Sequence, residues 1–311
     1  MMGKMLKLAG FLVVAFSLYI GYRSTNRFDP DMIRGKRVLV TGASKGIGEQ
    51  VAYQYARMGA NVMVTARSET ALKKVVAECE RLSGHKGHHY VTADMSDFQN
   101  MHKVTEAAKD FLGGLDILVI NHVAPYRTGL WIGKENLTFF DFQAKLNFNS
   151  YVHLATHALP LLEDSPGSSI VIVNSIAGAL GFLVNSGYSG SKFALNGFFM
   201  SLRAQFQILE QDISVTQCFL GAIRTDAGQT ALSNQVYRHE RAGKLVRMDI
   251  PDSAYMEVNE TALEIVKAGA LREEEMYFPK FARYATYPGL KTLYKKLATT
   301  IYRAENLPAS D

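Results

Sequence analysis

From Lys36 onward, short apolar runs alternate with stretches in which apolar residues recur every three or four positions. The runs RVLVTG, NVMVTAR, HHYVTAD, LDILVIN, SIVIVNS and ISVTQCFL predict strands, and Glu275 to Phe278 predicts a seventh. Such runs lack the in-out alternation of a half-exposed strand, so both faces of the sheet are expected to be covered. The helical period appears in Gly48 to Arg57, Glu69 to Arg81, Phe98 to Phe111, Phe139 to Leu162 and Ser189 to Glu210. Strand and helix in alternation predict an α/β fold, a doubly wound parallel sheet with helices on both faces. Thr225 to Met248 is polar and weakly periodic, and is expected to form a loop and helix over a substrate.

The first residues depart from this rhythm. Leu8 to Tyr22 is hydrophobic all round, flanked by Lys4 and Lys7 on one side and Arg23 and Arg27 on the other. Its length suits a short signal-anchor or the core of a cleaved signal peptide, and the bulky residues of SLYIGYRS, where a small-residue cleavage site is wanted, favour retention. The expected organisation is an anchor and linker over 1–30, one domain over 31–280, and a membrane-proximal or dimer-contact tail over 281–311. The net charge of +5 is spread without a basic run laced with aromatics, which argues against nucleic acid as a partner. The two cysteines, Cys79 and Cys218, are far apart in apolar segments, so reduced core thiols are expected and no metal site. Asn136-Leu-Thr138 and Asn259-Glu-Thr261 would be glycosylation acceptors in a secretory lumen.

Candidate chemistry begins where the first strand runs into TGASKGIGEQVAYQYARMGA. Gly42, Gly46 and Gly48 fall at a strand-to-helix turn, where bare backbone and a helix N-terminus can receive a pyrophosphate. The second strand ends with Ala66 where an NAD enzyme places an acid for the ribose diol; Arg67 follows, and Lys45 lies in the glycine loop. Two cations and no carboxylate suit a 2′-phosphate, hence NADP(H). Asp94 is expected to cap the adenine amino group, and Asn121 to lie where the dinucleotide passes the sheet edge. Further along, Ser175 ends a strand, and YSGSK puts Tyr188 and Lys192 one helical turn apart. Moving hydride at a carbinol carbon requires a proton moved at its oxygen. A tyrosine can move it if a nearby ammonium lowers the phenol's pKa, the role expected of Lys192. Ser175 would then bind the substrate oxygen together with Tyr188, and Asn147 would complete a proton relay through water.

TGASKGIG, the NH after the fourth strand, LNFNSY, NSIAG, YSGSK and LGAIRT together resemble the short-chain dehydrogenase/reductase family from Arg34 to about Phe278. RFDPDMIRGKRVLVTGASKGIGE, KFALNGFF, ALPLL and GALREEEMYF are similar to its 11β-hydroxysteroid dehydrogenase branch. The resemblance implies a Rossmann-type sheet of about seven strands and an NADP(H)-dependent oxidoreductase acting on CH–OH groups of a steroid. It also implies anchoring in the endoplasmic reticulum membrane with a lumenal catalytic domain, and a homodimer; cleavage of the leader would instead give a secreted protein. Carried over by position, the cofactor contacts are Gly42, Ser44, Lys45, Ile47, Arg67, Asp94, Met95, Asn121, His122, Val123, Tyr188, Lys192, Ile223 and Thr225. The usual Pro-Gly after the sixth strand is Leu220-Gly221 here, and Asn174 replaces a serine before Ser175. Two other readings use the same residues: a retinoid or other lipid-carbonyl reductase, and a catalytically silent NADP-binding scaffold.

Overall fold

The computed structural model describes residues 27–124, 129–182, 184–226, 228–229, 235–248, 250–287, 290, 292 and 302–306. The hydrophobic leader lies outside the described residues; among those described, no helix is long and apolar enough to cross a membrane.

Seven strands form a parallel sheet: β1 (Arg37–Thr41), β2 (Asn61–Ala66), β3 (His89–Thr92), β4 (Ile117–Ile120), β5 (Ser168–Ser175), β6 (Ile213–Leu220) and β9 (Glu275–Phe278), in the order β3-β2-β1-β4-β5-β6-β9. These are the runs anticipated above. Along β1, Val38 and Val40 enter one core and Leu39 the other, which is why the strand is apolar throughout. The first core is closed by α1 (Gly46–Arg57), α2 (Glu69–Ser83) and α7 (Val258–Ala270) through Val51, Leu72, Val75, Ile265 and Val266. The second is closed by α3 (Asn100–Leu112), α5 (Ser150–Glu163) and α6 (Ser186–Ile208) through Met101, Val104, Leu154, Leu195 and Phe199. Both cysteines are free and buried, and burial raises both thiol pKa values.

Three local features differ from the sequence reading. The periodic stretch from Phe139 to Leu162 is not one helix: α4 (Leu137–Ala144) passes through a π-helical turn, Lys145–Asn149, into α5. The extra residue per turn leaves the apolar period nearly intact, so the pattern alone does not reveal it. The helix α7 lies in a stretch with no element assigned above, although Thr261, Ala262, Ile265, Val266 and Gly269 mark its buried face at helical spacing. The segment expected as loop and helix instead holds two antiparallel strands, β7 (Gln235–His239) and β8 (Lys244–Met248), joined through Gly243 at φ 59°. A strand from the tail, β10 (Tyr302–Asn306), pairs with β8, completing a three-stranded sheet beside the main one.

Candidate active site

In the strand order, chain direction of travel reverses at β1 and β4, and a crevice outside the C-terminal strand ends at such a point is where this kind of sheet receives a ligand. Gly42, Ser44, Lys45, Gly46, Ile47 and Gly48 follow β1 there. Gly42 and Gly46 have φ of 63° and 65°, the left-handed region that glycine tolerates best. A Cβ on Gly48 would come within 2.5 Å of the Gly42 carbonyl oxygen and of Asn121 Nδ2, and one on Gly42 within 2.7 Å of His122 Cα. The loop after β4 therefore closes directly onto the glycine turn. Asn121 Nδ2 donates to the carbonyls of Thr41 and Gly42, both at 3.2 Å, and fixes the turn from the side.

Arg67 and Lys45 are both exposed on this rim. Burial opposes ionisation of Asp94, but the N–H and hydroxyl of Ser96 at 2.9 and 2.8 Å, with Arg67 and Lys145 nearby, hold its carboxyl below the usual range. Ile223 and Thr225 follow β6, and the methyl of Thr225 would lie 3.4 Å from a Cβ on Gly46, so that loop meets the glycine turn from the opposite side. Val123 is exposed. Ile47 and Met95 pack into the two cores, so anything they offer a ligand comes from their backbone.

His122 has a structural part to play. Its ring is buried, with Nδ1 2.8 Å from Thr41 Oγ1 and Nε2 2.7 Å from Ser150 Oγ. Because the Ser150 hydroxyl donates to the Leu146 carbonyl at 2.6 Å, Nε2 must carry the proton and Nδ1 must accept from Thr41. Burial, with Lys192 adding repulsion, lowers the imidazole to about 3, so the ring stays neutral. The ring thus ties β1 to α5, and Tyr151 donates to the His122 carbonyl at 2.6 Å from beneath it. Tyr151 was not anticipated from sequence, where one more aromatic on an apolar helix carries no distinguishing signal.

Ser175 ends β5, and its hydroxyl hydrogen-bonds Tyr188 on α6. Lys192, one turn further, is 2% exposed; its Nζ donates to the Val173 carbonyl at 3.0 Å and lies 5.8 Å from the Tyr188 ring centroid. Asn147 is fully buried in the π turn, accepting from Ala124 N at 2.7 Å and donating to Ser191 Oγ at 3.3 Å. Asn174, the residue that departs from the family pattern, accepts from Ser175 N at 2.8 Å and donates to the Lys192 carbonyl at 3.3 Å and Gln217 Oε1 at 3.2 Å. One amide thereby ties the serine strand to the Tyr188–Lys192 helix.

Burial raises the Tyr188 phenol to about 12, against the lowering effect of Ser175. Burial also lowers Lys192 to about 7, so near neutral pH the ammonium and the amine are about equally populated. The phenol is protonated in this state, the form that can donate.

Tyr188 also lines a cavity of about 410 Å³, walled by Leu130, Trp131, Phe139, Phe140, Gln143, Tyr237 and Arg238 among others. These wall residues were not singled out from sequence, since they come from separate segments. Asn136, one of the two sequons, is part of this rim: its amide accepts from Ile132 N at 2.7 Å and donates to the Leu130 carbonyl at 3.2 Å. Asn259 accepts from Gln54 Nε2 at 2.6 Å. Among the described residues no group of three His, Cys, Asp or Glu side chains is gathered to hold a metal ion.

Residues 36–236 match the family described as short chain dehydrogenase. The chain belongs to that family. It is an oxidoreductase of the class that uses a nicotinamide dinucleotide on a small-molecule substrate. It is 40% identical over 277 residues to the hydroxysteroid 11-beta-dehydrogenase 1-like protein of Gallus gallus, covering 89% of this chain and 88% of that one. The protein of the same name from Xenopus tropicalis is 40% identical over 272 residues, covering 88% and 87%. A short chain dehydrogenase from Salmonella enterica serovar Typhi superposes with a TM-score of 0.62 at 26% identity, over 66% of this chain and 84% of that one.

Proposed function

We propose that the protein interconverts a secondary alcohol and a ketone with NADP(H), on a hydroxysteroid or ketosteroid. The observation that supports this most is the meeting of Ser175, Tyr188 and Lys192 from β5 and α6 beside an aromatic-walled cavity. In the direction of reduction, Tyr188 gives its phenolic proton to the carbonyl oxygen while the Ser175 hydroxyl donates a hydrogen bond to the same atom. The Lys192 ammonium stabilises the phenolate that remains, and the proton is replaced along a path past Asn147. NADPH, when bound, supplies the hydride. The backbone at Gly42, Ser44, Gly46 and Gly48 would hold its pyrophosphate, Lys45 and Arg67 its 2′-phosphate, Asp94 the adenine end, and Asn121, Ile223, Thr225 and Lys192 the nicotinamide end. The left-handed φ of Gly42 and Gly46 gives this turn the bare backbone that such a ligand approaches.

The steroid assignment draws on the names of the relatives from Gallus gallus and Xenopus tropicalis. Its test is oxidation of NADPH and of NADH in the presence of ketosteroids, with retinal as the competing carbonyl. Consumption of NADPH with a ketosteroid is expected. Preference for retinal would favour the lipid-carbonyl reductase reading, and inertness toward every carbonyl the silent scaffold. The proposal extends to location. Residues 1–30 would anchor the chain in the endoplasmic reticulum membrane, leaving the domain of 31–280 in the lumen, with the tail of 281–311 at the membrane or a dimer contact. Resistance to carbonate extraction and to protease in sealed microsomes is expected; release or digestion would contradict it.

A further inference from the structure

Lys192 needs its charge in a place poor in water. Its Nζ donates to the Val173 carbonyl at 3.0 Å, and with the residue only 2% exposed, solvent cannot hold the ammonium as it does at a surface. The face that compensates belongs to Tyr151, a fully buried side chain in the first turn of α5. Lys192 Nζ stands over that ring, 5.3 Å from its centroid, within the range in which the negative face of an aromatic ring attracts a cation. Exclusion of water strengthens the attraction. Two further contacts fix the ring: its hydroxyl donates to the His122 carbonyl at 2.6 Å, and its centroid lies 4.6 Å from that of the His122 ring. Ser150, the preceding residue, meets His122 Nε2, so the start of α5 is fastened to the loop after β4.

The titratable groups around Lys192 are Tyr188 on its own helix, Tyr151 on α5 and His122 after β4. Burial keeps both phenols protonated and the imidazole neutral at pH 7, and β5 offers the Val173 carbonyl. Among the described residues no carboxylate pairs with the amine. Because ammonium and amine are nearly balanced at neutral pH, a single modest attraction decides which form prevails. We propose that Tyr151 is a positioning residue whose ring face keeps Lys192 in its ammonium form beside Tyr188. This rests on the catalytic reading above and adds to it a fully buried residue that acts through Lys192.

Fluorine drains negative charge from an aromatic face and leaves the shape of the ring nearly unchanged. The experiment follows the ε-carbon resonance of Lys192, assigned by its loss in Lys192→Met, in full-length protein grown on isotopically labelled lysine. It is titrated with pH in the wild type, in Tyr151→Phe, and in protein carrying difluoro- or pentafluorophenylalanine at the same position. Tyr151→Phe keeps the face and should titrate as the wild type does. The fluorinated rings should lower the midpoint stepwise, by about 0.5 to 1.5 in all, which takes the ammonium fraction at pH 7 from about one half to about one quarter or less. Tyr151→Leu, read against Tyr151→Phe, repeats the comparison with ordinary residues and should lower the midpoint too. NADPH oxidation with a ketosteroid should fall off at correspondingly lower pH in the fluorinated proteins and recover as pH is lowered, whereas a merely structural role would depress it alike at every pH. A midpoint that ignores fluorination, one that moves as far in Tyr151→Phe as in the fluorinated proteins, or turnover lost uniformly across pH overturns the proposal. A midpoint that shifts as expected in a protein that oxidises NADPH with no carbonyl would instead overturn the catalytic reading and leave the contact between Tyr151 and Lys192 standing.

Discussion

The glycine turn and the substrate cavity open on the same edge of one sheet, yet they are built by opposite means. The turn works by omission: bare backbone at Gly42 and Gly48, closed by Asn121 and the His122 strand end, with side chains kept out because there is no space for them. The cavity works by side chains, assembled from α4, the loop before it, the start of α6 and the hairpin strand β7. Tyr188 and Lys192 stand between the two and carry the costs of both, a phenol and an amine held in the protein interior. A site that depends on backbone shape fails when anything is added, whereas one that depends on side chains fails when something is removed.

The largest effect expected comes at the junction. Lys192→Met should lower turnover by about 10² or more, the scale of acid–base catalysis, and weaken the dinucleotide as well. The same substitution reads the cost of burial. The amine's folded pKa of about 7 lies below its ordinary 10.5, so the unfolded chain binds the extra proton between those values. Stability of the wild type relative to Lys192→Met should therefore rise as pH increases from about 7 to 10, by on the order of 3 kcal/mol. Paired chemical denaturation across that range would show it; a flat difference would mean the amine is not held neutral. Next, Arg67→Ala should weaken NADPH by about 10- to 100-fold, the worth of charged hydrogen bonds, and spare NADH; equal losses for both would remove the 2′-phosphate from its role. Gly48→Ala should cost about 1–3 kcal/mol of stability by overpacking together with much of the dinucleotide affinity, read by melting and titration. Gly197→Ala sharpens the contrast. This glycine is exposed within α6, where an added Cβ meets nothing within 4 Å, so a gain of up to about 1 kcal/mol is expected from helix propensity.

The same contrast decides what could be read in the sequence. The main-sheet strands are apolar on both faces, and the glycine turn, Ser175 and the Tyr188–Lys192 pair belong to short contiguous motifs, so each is legible in a few residues. The cavity wall is not. β10 joins β8 from more than fifty residues away, and in β8 Leu245 and Val246 are buried side by side, which breaks the alternation expected of a strand. Gln143 and Trp131 are unremarkable in sequence and become neighbours of Tyr188 only through the fold. The direction of the Tyr188 shift was likewise out of reach, because it depends on how deeply the phenol is buried and where Lys192 points, to the Val173 carbonyl. His122 reads as a dinucleotide contact by its place after β4, yet Thr41 and Ser150 claim both ring nitrogens.

The central claim is that Tyr188 delivers the proton that accompanies hydride transfer. It is tested most directly by following label from NADPH deuterated at the transferable C4 position into a ketosteroid, by mass spectrometry of the alcohol. The wild type should place one deuterium on the carbinol carbon. Tyr188→Phe, compared at saturating dinucleotide and with its NADPH affinity verified by titration, should do so at least about 10²-fold more slowly. Labelling by Tyr188→Phe at the wild-type rate would contradict the assignment.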